Sequence, residues 1–308
     1  MTQPYEYDTI IRTRFHMPRT SLPQDQNITC DIELDTLLDQ IFQVRSFDFR
    51  DYKKASLKRR LKKRLDFNQI LTYPEYAEFL NQHPEEYEKL FATLLINVTE
   101  FFRDPEAWSI IEKDVLPEII SRKVKGNSIR IWSAACASGE EAYTIGILLL
   151  EKLGDASSDF EIKIYATDID EDTLSQARSG IYPEEKVKMI SPAIIEKYFT
   201  KEDDIYRINQ SVRQLISFGR LDLTADAPIP NVDLLVCRNV LMYFNNNLQN
   251  KQIHKFNFAV RNGGHIFLGK SEGILLGSKL YKVVDNRWKV YQKISGAGDQ
   301  EPIKKLLY

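Results

Sequence analysis

Cysteine is scarce in this sequence: Cys30, Cys136 and Cys237 are widely spaced, without a CxxC pair or a nearby pair of histidines. An odd number of scattered cysteines argues against a disulfide framework and favours a reducing compartment. The same spacing offers no structural zinc site. We therefore expect a cytoplasmic protein without a bound metal.

Long apolar runs and a strong net charge are also missing. The longest apolar run, residues 145–150, is far shorter than the roughly 20 residues that span a bilayer. Residues 1–14 contain acids and no apolar segment, unlike a secretory signal. With 42 basic and 44 acidic residues the formal charge is −2, which gives no overall attraction to nucleic acid or membrane. We expect neither partner.

Residue patterns divide the chain into two main parts. Residues 1–30 lack periodicity and predict a loose N-terminal arm. From 31 to 111, apolar residues recur at spacings of three and four, which predicts a helical domain. From 112 to 294, strands and helices alternate, which predicts an α/β domain with a mostly parallel sheet. Residues 295–308 are left as a C-terminal tail.

The strongest local signal for a ligand site is IRIWSAACASGEEAY at 129–143. An apolar strand runs into small residues, which let a ligand approach the backbone at the carboxyl end of the strand. Glu140 and Glu141 then open a helix, where they would repel phosphate and attract a cation or an ammonium group. S-adenosylmethionine has a nucleoside, an amino group and a sulfonium but no phosphate, so it suits this charge better than NAD.

A second strand, EIKIYATDID at 161–170, ends in acids. An acid at this position can accept both ribose hydroxyls, with Asp168 the first candidate and Asp170 the second. Either acid alone could instead be a helix cap or a turn former. Together with the preceding turn, ribose binding is the favoured interpretation.

The last part of the α/β domain predicts two irregularities. Residues 180–213 break the alternation with short strands, including one around Val212, and predict a small β insertion. Residues 282–284 and 288–291 flank a polar turn at 285–286 and predict an antiparallel hairpin. A parallel sheet that closes on such a hairpin is typical of the class I methyltransferase fold.

Five ordered sequence blocks resemble the CheR family of chemoreceptor glutamate methyltransferases over about residues 31–294. They are NVTEFFR at 97–103, IWSAACASGEEAY at 131–143, ATDID at 166–170, ARSGIY at 177–182 and CRNVLMYF at 237–244. One block alone is weak evidence, whereas five in order make chance similarity improbable. The resemblance implies a Rossmann-like, mostly parallel seven-stranded sheet with an antiparallel last strand.

The resemblance also implies the reaction. A glutamate carboxylate of a chemoreceptor helix would attack the sulfonium methyl of S-adenosylmethionine in line, giving a methyl ester and S-adenosylhomocysteine during chemotaxis adaptation. No general base is needed, because a glutamate carboxylate with a reference pKa of about 4.3 is ionised at neutral pH. A monomer is expected.

The residues that the resemblance implies for cofactor binding come from the linker between the two domains, residues 97–103, and from the ends of the strands. They are Asn97, Thr99, Arg103, Glu141, Asp168, Asp222, Leu223, Arg238 and Asn239. Glu141 is implied at the methionine amino group, Asp168 on the ribose, and Asp222 with Leu223 beside the adenine. The last two residues of the set are implied near the transferred methyl.

Arg103 and Tyr243 are the candidate catalytic residues. Arg103 can pair bidentately with the methionine carboxylate or with the substrate carboxylate. Phe101 and Phe102 precede it and should anchor it against the core. The ring or hydroxyl of Tyr243 could stabilise the sulfonium, although a packed aromatic is an equally good interpretation of that residue alone.

A basic helix, DYKKASLKRRLKKRL at 51–65, is the candidate substrate-binding surface. Leu57, Leu61 and Leu65 should face inward and leave the cations outside. The candidate substrate-binding residues are Lys53, Lys54, Lys58, Arg59, Lys62 and Lys63. A charge run is usually only a solvated face, but in a slightly acidic chain it favours an anionic partner. The resemblance makes that partner the acidic chemoreceptor helices; composition alone would equally allow RNA.

The β insertion departs from relatives that dock a receptor's C-terminal pentapeptide. The sequence YFTKEDDI at 198–205 is acidic and free of glycine, so its backbone is not expected to adopt the positive φ of that groove. We therefore expect the pentapeptide-independent type.

Two other functions stay open at the level of sequence. A nucleic-acid methyltransferase would use the same fold, but CRNV at 237–240 replaces the Asn/Asp-Pro-Pro-Tyr/Phe block common in base N-methyltransferases. A non-enzymatic adaptor would bind the cofactor as a signal, and the retained charged residues argue against it.

Overall fold

The computed structural model describes residues 23–274 and 280–294, with side chains from residue 31 onward. Helix α1 spans Pro23–Arg45. It therefore begins inside the stretch predicted as a loose arm, with a proline in the first turn, where its missing N–H costs no hydrogen bond. Residues 1–22 of that arm and the tail at 295–308 lie outside the described residues.

The N-terminal part is helical, as predicted. Three helices follow α1: α2 (Lys54–Asn68), α3 (Tyr73–Gln82) and α4 (Glu86–Leu94). The apolar positions spaced by three and four form one core between them, with Leu34, Ile41, Leu61 and Leu80 fully buried. Helix α3 begins at a capping box, in which the Thr72 side chain accepts from the Glu75 amide.

A buried ionic network joins α2, α3 and α4. The Glu86 carboxylate accepts two hydrogen bonds from Arg64 at 2.8 and 2.7 Å, one from the Tyr76 hydroxyl at 2.9 Å and one from the Asn68 amide at 2.9 Å. Burial acts to raise the pKa of Glu86, but the donors from Arg64, Tyr76 and Asn68 outweigh it and leave that pKa below its usual value. The network depends on this one ionised carboxylate.

The strands of the described residues lie in two sheets. They are β1 (Ser128–Ala134), β2 (Glu161–Asp168), β3 (Ile181–Pro183), β4 (Phe199–Glu202), β5 (Ile205–Ile208), β6 (Ile216–Arg220), β7 (Val232–Cys237), β8 (Val260–Leu268), β9 (Tyr281–Asp285) and β10 (Val290–Lys293). The main sheet has the order β6-β2-β1-β7-β8-β10-β9. Its strands are parallel from β6 to β8, and β10 is antiparallel to both neighbours. The predicted seven-stranded class I methyltransferase sheet is confirmed.

Helices cover both faces of the main sheet. They are α5 (Pro105–Ile110), a π-helical turn (Ile111–Val115), α6 (Leu116–Ser121), α7 (Glu140–Leu153), α8 (Glu171–Ser179), α9 (Glu184–Val187), α10 (Pro192–Tyr198), α11 (Gln210–Arg213) and α12 (Asn246–Ala259), with 3₁₀ turns at Gly154–Asp159 and Leu241–Tyr243. Ile131 and Phe267 face one core, whereas Trp132 and Phe256 face the other. Across the described ranges, the longest apolar helical stretch is too short to cross a bilayer.

The stretch predicted as a β insertion contains the second sheet, with the antiparallel order β3-β5-β4. Val212 was wrongly predicted in a strand. It lies in α11 and packs on Gly146 of α7, where an added Cβ would be 2.9 Å from the valine Cγ1. The connection from β4 to β5 has Asp203 at a φ of 52°. The argument that this connection cannot reach positive φ was wrong, because aspartate tolerates the left-handed region.

The hairpin boundary differs from the prediction. The turn lies at 286–289, not at 285–286, and Lys289 supplies its positive φ of 56°. Two other positions follow from packing and helix geometry. Gly264 lies inside β8, where a Cβ would come within 2.9 Å of the Asp233 carbonyl oxygen. Pro117 lies in the first turn of α6, where its missing N–H costs no hydrogen bond.

Glu86→Ala should lower the free energy of unfolding by about 3–5 kcal/mol, because Arg64 would lose its partner in the interior. Chemical denaturation at pH 7 measures this loss. Glu85→Ala is the matched control, since the Glu85 side chain is 63% exposed. Equal stability of the two variants would contradict the structural role of the network.

Candidate active site

One cleft of about 400 Å³ lies at the carboxyl ends of β1, β2, β6 and β7. Side chains that follow parallel strands converge at this edge of a sheet, which is why ligands bind there in open α/β folds. The helical domain closes the opposite wall with Phe47, Tyr52 and Arg60. Tyr52 also packs its ring edge-on against Phe244, with the ring centroids 4.9 Å apart. The cleft therefore lies between the two parts of the chain.

The structure brings the predicted cofactor-binding residues together. The cleft is lined by Asn97, Thr99, Arg103, Glu141, Asp168, Asp222, Leu223, Arg238 and Asn239, and also by Tyr243. The six candidate substrate-binding residues, which are Lys53 just before α2 and five residues of α2, are not part of this lining. Helix α2 contributes Arg60 instead.

Sequence reasoning did not assign a role to Arg60, which lies on the inner side of α2. It precedes the inward-facing Leu61, is only 5% exposed, and donates a hydrogen bond to the Leu94 carbonyl oxygen. Its guanidinium lies over the Tyr243 ring, 4.6 Å from the centroid. A cation over an aromatic face is attracted by the ring quadrupole, so Arg60 holds the Tyr243 ring in place.

The turn after β1 is closed by a carboxylate. Ala135 and Ala137 have φ angles of 60° and 47°, which are unusual for residues other than glycine and typical of functional turns. The Ala137 amide donates to Asp168 Oδ2 at 2.8 Å. At Gly139 an added Cβ would lie 2.8 Å from the Ala177 Cβ, so glycine is required. Because Asp168 takes the Ala137 amide, that amide is not free for a phosphate.

The two acids after β2 have different environments. Asp168 is 7% exposed, and burial raises its pKa, although amides of Asp170 and Ala137 offset part of the effect. Asp170 accepts from the amides of Asp172 and Thr173 at the start of α8, and from Asn97 Nδ2 at 2.5 Å. Asp170 is thus a helix cap, which was the alternative role considered for it from the sequence. It also anchors the linker through Asn97. Asp168 faces the cleft.

The paired acids at the start of α7 also differ. Glu141 lines the cleft and accepts from the Ser133 hydroxyl at 2.8 Å. Burial raises the pKa of Glu141, against the lowering effects of Arg238 and Ser133. Glu140 is fully buried and pairs with Lys186 Nζ at 2.8 Å, so a side chain of the protein already neutralises its charge. Only Glu141 is left to meet a cationic ligand.

Arg238 is buried under the cleft beside unsatisfied polar atoms. Its Nη2 lies 2.5 Å from Asp104 Oδ2, and its guanidinium lies against the rings of Trp108 and Phe267, at 5.5 and 4.6 Å from their centroids. Asn239 follows with a φ of 63°. Among the described residues, no hydrogen-bond partner reaches its buried Oδ1. A buried acceptor of this kind calls for a donor from a ligand or from water.

The linker that carries Arg103 is anchored as the sequence predicted. Phe101 is 4% exposed and packs edge-on against Tyr182 and Phe199, with centroid distances of 4.9 and 5.5 Å. The Phe102 amide donates to the Thr144 hydroxyl at 3.1 Å. Arg103 itself is partly exposed at the cleft.

Comparison with known proteins identifies the family. Residues 97–290 match the CheR methyltransferase, SAM binding domain, and residues 32–95 match the CheR methyltransferase, all-alpha domain. The chain belongs to the CheR methyltransferase family.

Full-length relatives support this assignment. The chain is 30% identical over 271 residues to the chemotaxis protein methyltransferase of Borreliella burgdorferi, covering 85% of this chain and 95% of that one. It is 30% identical over 241 residues to the chemotaxis protein methyltransferase of Escherichia coli, covering 75% and 81%. A Rhodobacter capsulatus protein named only as an uncharacterized 104.1 kDa protein is 32% identical over 247 residues, which are 80% of this chain but 26% of that relative.

Sequence reasoning missed Glu272, which shapes the loop after β7 in this CheR chain. One oxygen of its carboxylate accepts from the amides of Asn239 and Gly269 at 3.0 and 2.6 Å, and the other from those of Val240 and Met242 at 2.7 and 3.1 Å. A Cβ on Gly269 would lie 2.7 Å from the carboxylate. The surrounding sequence, SEG at 271–273, gives no motif that could have revealed this role.

Glu272→Gln should loosen the loop after β7, because the carboxamide NH₂ replaces one oxygen and leaves two backbone N–H groups without an acceptor. We expect stability to fall by about 2–4 kcal/mol and the amides of 239, 240, 242 and 269 to exchange hydrogen faster. Mass-spectrometric hydrogen exchange measures this, with the exposed Glu185→Gln as control. Unchanged protection at these amides would show that the carboxylate does not hold the loop.

Proposed function

We propose that this chain transfers a methyl group from S-adenosylmethionine to glutamate carboxylates on chemoreceptor cytoplasmic helices, giving methyl esters and S-adenosylhomocysteine. The observation that carries the proposal is the composition of the cleft. Glu141, Asp168 and Asp222 line it close to the carboxyl ends of the strands, together with Arg238 after β7, whereas Arg103 lines it from the linker and Arg60 from the helical domain. This arrangement suits a cationic nucleoside beside an anionic protein substrate.

The residues of the cleft fit S-adenosylmethionine. Burial raises the pKa of Glu141, so an ammonium group in contact with it would stabilise its ionised form. The unpartnered Oδ1 of Asn239 offers an acceptor. A volume of about 400 Å³ lies in the range of small-molecule sites. The Ala137 amide is occupied by Asp168, which disfavours a phosphate-containing ligand.

We assign the contacts accordingly. Asp168 would hold the ribose, Glu141 the amino group, and Asp222 with Leu223 the adenine. Asn97 and Thr99 would cover the ligand from the linker. Arg238 and Asn239, on the loop after β7, would lie beside the reacting methyl.

The protein's own part in the reaction is alignment and exclusion of water. When bound, S-adenosylmethionine supplies an electrophilic methyl group. Arg103 would orient a carboxylate, and Tyr243, held by Arg60, would present its ring and hydroxyl at the reacting centre. Among the described residues of the lining, no histidine provides a general base. None is needed for an ionised carboxylate, and alignment can lower a barrier by roughly 7–11 kcal/mol.

The direct test is transfer of labelled methyl from S-adenosylmethionine to receptor cytoplasmic domains, followed by alkaline treatment. Methyl esters release methanol in base, so base-labile label supports the proposal. Base-stable label, or label on added RNA, would refute it. Bound ligand without any transfer would favour the adaptor. If a receptor without its C-terminal tail is labelled as strongly as the intact receptor, the result would support pentapeptide independence. We expect this result because the acidic turn at Asp203 and Asp204 would repel an acidic peptide.

Asp168→Ala and Glu141→Ala should each weaken binding of S-adenosylhomocysteine by on the order of 1–3 kcal/mol, through loss of hydrogen bonds to charged groups. Since burial raises both pKa values, the two carboxylates take up protons at a higher pH than free side chains do, and wild-type affinity should also fall as the pH is lowered. Isothermal titration calorimetry measures both effects. The exposed Asp172→Ala serves as control, and affinities equal to that of the control would remove these assignments.

The candidate substrate surface around α2 contains paired and unpaired cations. Three of its cations already pair with carboxylates: Lys54 with Asp35, Lys58 with Asp31, and Lys62 with Asp66. Lys53, Arg59 and Lys63 are exposed, and no ion pair to them occurs within the described part of the chain. We propose that these three cations meet the acidic receptor helix.

Arg59→Glu with Lys63→Glu should raise the KM for receptor severalfold and leave the affinity for S-adenosylhomocysteine unchanged. Added salt should also raise the wild-type KM, because exposed charges are screened over about 10 Å at 0.1 M. Initial-rate kinetics measure both. Lys89→Glu, an exposed change on α4, is the control. If neither charge reversal nor added salt changes the KM for receptor, the cations of α2 are only solvated and do not bind the substrate.

A further inference from the structure

Lys186, on α9 of the β insertion, contacts two segments that border the cleft. Its Nζ donates to the Thr99 carbonyl oxygen at 2.9 Å and to Glu140 Oε1 at 2.8 Å. Thr99 belongs to the linker, and Glu140 opens α7 directly after the turn that follows β1. One ammonium group therefore joins the linker, the turn and the insertion.

The far side of the Glu140 carboxylate is also fixed. Ser138 Oγ donates to Glu140 Oε2 at 2.7 Å, and the Tyr182 hydroxyl donates to the Ser138 carbonyl oxygen at 2.6 Å. Tyr182 lies on β3 of the same insertion and packs on Phe101 of the linker. The insertion thus contacts both the turn and the linker through polar and aromatic groups.

We propose that Lys186 is a positioning residue for the cofactor cleft, through which the β insertion sets the separation between the linker and the turn after β1. This inference rests on the proposed function of the cleft. It assigns to the insertion a part in cofactor binding in addition to any contact with a receptor.

Burial explains why the contact matters. The Glu140 side chain is 0% exposed, and Lys186 is its ion-pair partner within the described residues. A buried carboxylate without a partner is strongly destabilised, so the first turn of α7 would shift toward water or another cation if Lys186 were lost. Glu141 and the turn at Ala137 are part of the same segment, and Thr99 would lose its tether at the same time. Cofactor binding should therefore suffer before folding does, because Lys186 itself is 32% exposed.

The experiment compares Lys186→Met with Lys188→Met, an exposed control two residues away. Lys186→Met should weaken S-adenosylhomocysteine binding about tenfold or more. Isothermal titration calorimetry measures this at a temperature well below the thermal unfolding midpoint of the variant. Lys186→Arg should bind within about threefold of wild type, because it keeps the charge and both donors. The KM for S-adenosylmethionine should rise in Lys186→Met, while the KM for receptor stays at the wild-type value.

Should Lys186→Met fail to fold, the double variant Glu140→Gln with Lys186→Met removes the stranded charge and still lacks the tether to Thr99. It should also bind S-adenosylhomocysteine more weakly than wild type. Affinity equal to that of the Lys188→Met control in the folded variant would overturn the inference. The two failures are distinguishable, since wild-type protein that binds no S-adenosylhomocysteine would instead refute the proposed function.

Discussion

The buried Arg238 is the charge on which the cleft depends. It pairs with Asp104 at the end of the linker, lies 3.9 Å from Glu141 at the start of α7, and contacts the rings of Trp108 and Phe267. Charges are costly to bury unless they are paired. The linker, α7 and the loop after β7 must therefore keep one arrangement, and that arrangement leaves the cleft between them.

Much of this arrangement could be predicted from the sequence, because its determinants are local. The alternation of strands and helices gave the parallel sheet, and the small residues before Glu140 marked the turn. The acids at the strand ends, such as Asp168, converge for a topological reason, since parallel strands end at one edge. The resemblance in the NVTEFFR and CRNVLMYF blocks then supplied Arg103 and Tyr243, and the structure lines the cleft with both.

What could not be predicted depends on contacts between distant segments. Glu272 accepts amides from a loop about 30 residues earlier, and Lys186 reaches Glu140 across 46 positions. Neither lies in a recognisable motif. Arg60 lies three positions after Leu57 and therefore on the inner face of α2. Helical spacing gives that face, but the contact of Arg60 with Tyr243 depends on how the two parts of the chain pack. The arm was misjudged at Pro23 because the start of a helix depends on the core it joins.

The most direct measurement is hydrogen exchange with and without S-adenosylhomocysteine. We expect slower exchange with ligand in the linker at 97–103, the turn at 135–141, the strand end at 168–170, and the loops at 221–224 and 238–243. We expect no change on the outer face of α2. Protection confined to another surface, or none in the linker and turn, would contradict the claim that this cleft is the cofactor site.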